Sequence, residues 1–138
     1  MKEKVCGVTG HREIPAEYRE QAEQGLRREI EKAIADGYTY FISGFADGVD
    51  QLFAGIVLEK AKENPALRLE AAIPYRNRYV VEHSDRVIAV YDGRDKGGTV
   101  STIRMVHAQR KEMREVPVGS YLPESMINLG YFMNASGR

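Results

Sequence analysis

The sequence has no excess of charge of either sign: 20 lysines and arginines cancel 20 aspartates and glutamates. Proteins that bind nucleic acid through its backbone carry a basic excess that displaces counterions from phosphates, so nucleic acid is not an expected partner. There is a single cysteine, Cys6, which excludes an intrachain disulfide. It sits in the apolar run Val5-Cys6-Gly7-Val8, the setting of a small buried hydrophobe and not of a reactive thiol. Clusters of Cys, His or carboxylate at metal-ligand spacing are lacking, so no metal and no other cofactor is expected. Apolar runs of the roughly 20 residues needed to span a membrane are lacking too. The start Met1-Lys2-Glu3-Lys4 turns polar again at Thr9, too soon for a secretory apolar core. A cytoplasmic protein with no membrane partner is therefore expected.

With 138 residues the chain has the usual size of one domain. One domain over 1–138 is expected, with an ordered core at about 4–119 and a tail at 120–138. Within the core, short apolar runs alternate with longer amphipathic ones, the pattern of a parallel sheet covered by helices. The predicted strands are Val5 to Thr9, Tyr38 to Ile42, Leu67 to Ile73, Val87 to Tyr91 and an edge strand at Val116 to Val118, where Pro117 is tolerated. A helix opened by Pro15 places Ala22, Leu26, Ile30 and Ala33 on one face and stops at Asp36-Gly37. A second helix follows Gly48 with the stripe Val49, Leu52, Phe53, Ile56 and Val57, and ends before Pro65. A short segment covers Tyr75 to Ser84, and a last helix is predicted over Thr99 to Arg114. The fold class is α/β, a Rossmann-like doubly wound parallel sheet of about five strands in the order 3-2-1-4-5, helices on both faces.

Three predicted loops leave the carboxyl ends of strands, where open parallel sheets bind ligands. They carry Thr9, Gly10, His11 and Arg12; Ser43, Gly44, Asp47, Gly48 and Asp50; and Asp92, Gly97, Gly98 and Thr99. Glycines let a backbone approach a phosphate, and the helix that follows offers unpaired N–H groups and the positive end of its dipole. Arg12 adds a bidentate, charge-assisted contact to a phosphate or carboxylate. Asp47 and Asp50 suit the start of the second helix and are candidates to cap it. Each loop alone is explained by turn and capping chemistry; their coincidence at three strand ends points to a ligand. His83 and His107, in helical stretches, are assigned structural or surface roles. Arg104, Arg110, Lys111 and Arg114 form a solvated basic face on the last helix.

Val-Thr-Gly-His-Arg at 8–12, Ser-Gly-x-x-x-Gly-Val-Asp at 43–50 and Gly-Gly-Thr at 97–99 resemble the SLOG superfamily. That group takes in the DprA/SMF proteins, the LOG phosphoribohydrolases and small YpsA-like bacterial proteins. Arg-Asn-Arg-Tyr-Val-Val-Glu-His-Ser-Asp-Arg-Val-Ile-Ala-Val-Tyr-Asp-Gly at 76–93 is most similar to the YpsA-like branch. The resemblance implies a Rossmann-like domain that binds a nucleotide or nucleotide derivative, often as a homodimer. The phosphate-facing positions would be Gly10, Arg12, Ser43, Gly44, Gly98 and Thr99. LOG enzymes carry a glutamate three residues beyond the corresponding threonine; Thr102 stands there, and a threonine neither stabilises an oxocarbenium ion nor activates water. Binding or sensing of a nucleotide-like ligand is thus the first expectation. A LOG-like nucleoside-monophosphate phosphoribohydrolase, with Asp47, Asp50 or Asp92 as acid or base, is the alternative. A DprA-like DNA-handling protein is the third. Pro74-Tyr75 also abuts Arg76-Asn77 directly, where YpsA-like relatives carry a longer helical insert.

Overall fold

The computed structural model describes residues 3–72, 76–94 and 97–119. Its elements are β1 (Val5–Gly10), α1 (Ala16–Ala35), β2 (Tyr40–Ser43), α2 (Val49–Ala61), β3 (Arg68–Ala71), α3 (Arg76–His83), β4 (Arg86–Tyr91), α4 (Gly98–Ala108) and β5 (Glu112–Pro117). The strands form one parallel sheet in the order β3-β2-β1-β4-β5, the expected one. β1 is central, with Cys6 opposite Phe41 of β2 and opposite Arg86 of β4.

Alternation along the strands divides the core between the two faces. Cys6, Val8, Phe41, Ile88 and Val90 pack with Leu26 and Ile30 of α1 and Phe53 and Val57 of α2. On the other face Ile42 packs with Val80 of α3, and Val87 packs with Val81 of α3 and Val106 of α4. Helix α1 begins after Pro15 at φ −53° and closes when the N–H groups of Gly37 and Tyr38 reach the carbonyls of Ile34 and Ala33 at 3.0 and 2.9 Å. Among the described residues no helix is long and apolar enough to cross a membrane.

The last helix is the main correction. It was expected to reach Arg114 but ends at Ala108, and Arg110 turns the chain at φ 56°. Residues from Glu112 onward pair with β4 instead, Arg86 opposite Glu112 and Val90 opposite Val116. Ladder bonds and the burial of Val116 under α1 outweigh the helical propensity of Lys, Glu, Met and Arg. Of the four basic residues assigned to one helical face, only Arg104 lies on α4. Lys111 donates to the Glu82 carbonyl, and Arg114 donates to Glu112 from β5. The tail residues 120–138 and Ile73 lie outside the described residues.

The amino end of the sheet is pinned by Arg86, nearly fully buried at the start of β4. Its guanidinium donates to Asp36 Oδ2 at 2.8 Å, lies 2.9 Å from Glu112 Oε2 and stacks over the Tyr38 ring at 4.5 Å. Hydrogen bonding from Arg86 holds the Asp36 carboxyl below its usual range. Cys6 lies beside this group with its thiol fully buried, pushed up to about 12 chiefly by burial, as an inert core residue requires.

Candidate functional site

Parallel strands bring the three glycine-bearing loops to one edge, and a cleft of about 910 Å³ opens there. The β1–α1 loop contributes Thr9, Gly10, His11, Arg12, Glu13, Ile14 and Pro15; the β2–α2 loop contributes Ala46, with Asp50 from α2. The β4–α4 connection contributes Arg94, Gly97, Gly98 and Thr99, and the start of α3 adds Asn77 and Arg78.

The loops play different parts. Gly97 precedes α4 at φ 116°, a conformation that suits glycine, and among the described residues no side chain caps the helix. The first N–H groups of α4 are therefore available to an anion, at the positive end of the dipole. A Cβ built on Gly98 would lie 3.8 Å from Asn77 Nδ2, so α3 and α4 present their starts side by side. Helix α2 also lacks a side-chain cap hydrogen bond, but its first N–H, from Val49, is taken by the His11 carbonyl at 3.1 Å. Ser43, fully buried, donates from Oγ to the Asp50 carbonyl at 2.9 Å and accepts from the Phe45 N–H at 3.1 Å. The Asp50 carboxylate accepts from the Ala46 N–H at 3.3 Å and Asp47 accepts from Gln51, so neither aspartate caps α2. The β2–α2 loop thus works as a brace under the β1–α1 loop. Of its candidates, Asp50 lines the cleft, whereas Ser43, Gly44, Asp47 and Gly48 do not.

His11 lines the cleft, whereas Asp92, also expected to meet a ligand, does not and instead pairs with His11 behind it. His11 Nε2 lies 3.2 Å from Asp92 Oδ1 and 3.3 Å from the Asp92 backbone nitrogen, and Nδ1 lies 3.3 Å from Thr99 Oγ1. The Asp92 backbone N–H donates to Nε2, so the neutral ring that accepts this bond carries its proton on Nδ1, toward Thr99 Oγ1. Burial lowers the His11 pKa below the ordinary 6.5, against the opposing pull of Asp92, so the ring is neutral at pH 7. Burial raises the Asp92 carboxyl, but hydrogen bonds from the Arg94 side chain and N–H outweigh it and hold the group below its usual range. The lowered histidine has a stability consequence. Folded and unfolded states are both neutral at His11 above pH 6.5; below it the unfolded chain takes up a proton that the fold resists. Stability therefore falls as pH drops from 6.5 toward the lowered value. A His11→Asn variant is expected to flatten that part of the pH–stability curve measured by urea unfolding; an unchanged slope would contradict the assignment.

Sequence reasoning missed Asn77, Arg78 and Arg94 as lining residues. Asn77 and Arg78 stood inside the 76–93 phrase, but only the path of α3 shows that they turn toward the glycine loops. That path is held by Tyr79, whose hydroxyl donates to Glu70 on β3, and Tyr40 of β2 donates to the same carboxylate at 2.5 Å. These bonds, from Tyr40 and then Tyr79, keep the Glu70 carboxyl below its usual range. Arg12 is exposed, Arg78 lies 3.5 Å from Glu82, and Arg94 forks onto Asp92. Three guanidiniums and one helix start thus face a cleft that also holds Glu13 and Asp50. Among the described residues no group of His, Cys and carboxylates could hold a metal ion.

No family model matches the chain, and no curated protein matches it by sequence. Solved structures do match. DNA processing protein A from Helicobacter pylori is similar with a TM-score of 0.62 and 17% identity, over 93% of this chain and 73% of that one. The molybdenum cofactor carrier protein from Chlamydomonas reinhardtii gives 0.60 and 15%, over 95% and 85%. The structural-genomics protein TM1055 gives 0.54 and 21%, over 80% and 72%. What they share with this chain is the fold.

Proposed function

We propose that the cleft binds a nucleotide or nucleotide-derived small molecule, held by its phosphate at the start of α4. The observation that carries this is the uncapped N-terminus of α4 opening into a cleft lined by Arg12, Arg78 and Arg94. Backbone N–H groups grip the phosphate oxygens, the guanidiniums neutralise the charge, and Asn77 stands beside Gly98 to fix orientation. The volume is within the range of small-molecule and cofactor sites. Ligand binding by one fold neighbour, the molybdenum cofactor carrier, accords with this reading.

LOG-like hydrolysis is disfavoured by the position that would carry the LOG glutamate. Thr102 is fully buried and donates to the Gly98 carbonyl at 2.8 Å, so its side chain ties down the first turn of α4. A DprA-like role has in its favour the neighbour from Helicobacter pylori, described as binding single-stranded DNA; the balanced charge of this chain speaks against it. Homodimerisation rests on Tyr131, Phe132 and Met133 of the tail, outside the described residues, and light scattering tests it.

A thermal-shift screen with AMP, ADP, ADP-ribose, NAD and cyclic nucleotides tests the assignment. A ligand at ~100 times its Kd stabilises the fold by about 2.7 kcal/mol. The expected result is a clear shift with at least one nucleotide, none with the matching nucleoside, and loss of the shift in an Arg12→Gln, Arg78→Gln double variant. Equal shifts with nucleotide and nucleoside would remove the phosphate from the account.

A further inference from the structure

We infer that His11 is a positioning residue for the bound anion: its ring N–H donates to Thr99 Oγ1, which leaves the Thr99 hydroxyl hydrogen for a phosphate oxygen seated on the start of α4. The inference rests on the phosphate-binding reading above and adds a side-chain donor to the grip of the backbone amides.

The order of the bonds starts from a group that cannot be reversed. A backbone N–H only donates, and that of Asp92 reaches His11 Nε2 at 3.3 Å. A neutral ring that accepts at Nε2 holds its one proton on Nδ1, and Nδ1 lies 3.3 Å from Thr99 Oγ1. Oγ1 therefore accepts from the ring and keeps its own hydrogen to donate. Were the ring protonated on Nε2 instead, Thr99 would give its hydrogen to Nδ1 and face the cleft with lone pairs, which repel a phosphate oxygen. The Asp92 carboxylate, with Oδ1 3.2 Å from Nε2, is supplied with donors by Arg94: its N–H at 3.1 Å and its Nε at 3.0 and 3.1 Å.

The ring and the hydroxyl are both held in place. The His11 ring centroid lies 6.1 Å from that of Tyr91 at an interplanar angle of 35°, and the His11 carbonyl accepts from the Val49 N–H. Thr99 is buried, lines the cleft and stands in the first turn of α4, beside the amides that meet the phosphate. A hydroxyl that already accepts a hydrogen bond is polarised and donates more strongly. His11 thus acts on the ligand through Thr99, and the donor it sets there suits an ionised phosphate oxygen, which only accepts.

The test uses the full chain, with AMP as the probe, or whichever nucleotide of the thermal-shift screen shifts the wild type most. Nitrogen-15 spectra of the histidine ring at neutral pH should show His11 Nδ1 protonated and Nε2 unprotonated. Thr99→Val and His11→Leu should each weaken nucleotide binding by about tenfold, the size of one hydrogen bond to a charged group. The double variant should bind no more weakly than Thr99→Val alone, because both changes remove the same donor. A histidine that merely supports the loop would add its loss in the Thr99→Val background as well. His11→Asn, whose amide N–H can take the place of Nδ1–H, should bind the nucleotide more tightly than His11→Leu. Nucleotide binding with the ring protonated on Nε2, or with losses that add in the double variant, overturns the inference and leaves the binding reading intact. A wild-type chain that binds no nucleotide of the screen overturns both. Should His11→Leu misfold, the ring spectrum and Thr99→Val still decide, and unchanged affinity in Thr99→Val overturns the inference.

Discussion

Replacing Gly48 with alanine is expected to destabilise the protein by at least about 2 kcal/mol and to abolish the nucleotide-dependent thermal shift. Gly48 holds φ at 77°, a conformation that alone costs an alanine about 1–2 kcal/mol. A Cβ there would lie 2.4 Å from the carbonyl oxygens of both His11 and Arg12. Those carbonyls are backbone and cannot swing away as a flexible side chain would, so the β1–α1 loop must move as a whole. That loop carries Arg12 toward the phosphate and His11 toward Thr99, and the His11 carbonyl also accepts from Val49. Stability and binding should therefore fail together. Gly55→Ala is the matched control, because nothing lies within 4 Å of its added methyl and it sits inside α2. It should gain about 0.5–1 kcal/mol and leave binding untouched. Urea unfolding and thermal-shift curves on the two variants check both statements; a Gly48→Ala protein with normal ligand shift would show that the two loops are not braced together.

Phe53→Ala should cost about 3–5 kcal/mol. Phe53 is fully buried in α2, with its ring centroid 6.1 Å from that of Phe41 on β2 at an interplanar angle of 57°. The cluster on that face draws on β1, β2, β4, β5, α1 and α2, a layer whose strands and helices leave little room to collapse into the void. The loss should appear as a lower urea midpoint with an unchanged slope, the sign that the same surface is exposed on unfolding. Phe53 does not line the cleft, so the nucleotide shift should persist in the folded fraction. A cost below 1 kcal/mol would mean that the two faces of the sheet share the core differently from the packing described.

The fold was legible because its signals were local. Leu26, Ile30 and Ala33 repeat at helical spacing, Gly37 ends α1, and the strand-forming runs are short and β-branched. The exception was 109–114, where Arg110, Lys111 and Arg114 read as a helical continuation and only pairing with β4 makes them a turn and a strand. The site was legible in part for the same reason. Thr9, Gly10, His11, Arg12, Asp50, Gly97, Gly98 and Thr99 line the cleft, and they stand at or beside strand ends that the sequence marks with glycines and small polar residues. The division of labour among the loops was not, since Ser43 and Gly48 carry the same mark as Gly97 and Gly98 but are used to brace a neighbouring loop. Nor was the role of Asn77 and Arg78, which enter the cleft because Tyr79 and Tyr40 hold α3 against the β2–β3 edge through Glu70. Such contacts join residues that are 9 and 30 positions apart, beyond the reach of any periodic pattern. The contact of His11 with Thr99 spans 88 positions and rests on the parallel order of β1 and β4.

The central claim is that a phosphate sits on the opening turn of α4. Amide chemical shifts followed by ¹H–¹⁵N NMR during titration with AMP, and with adenosine as control, test it most directly. The account predicts that the amides of Gly97, Gly98 and Thr99 move first and furthest with AMP, together with the Arg12 side-chain Nε–H, and stay still with adenosine. Shifts confined to other surfaces, or equal shifts with adenosine, would contradict it.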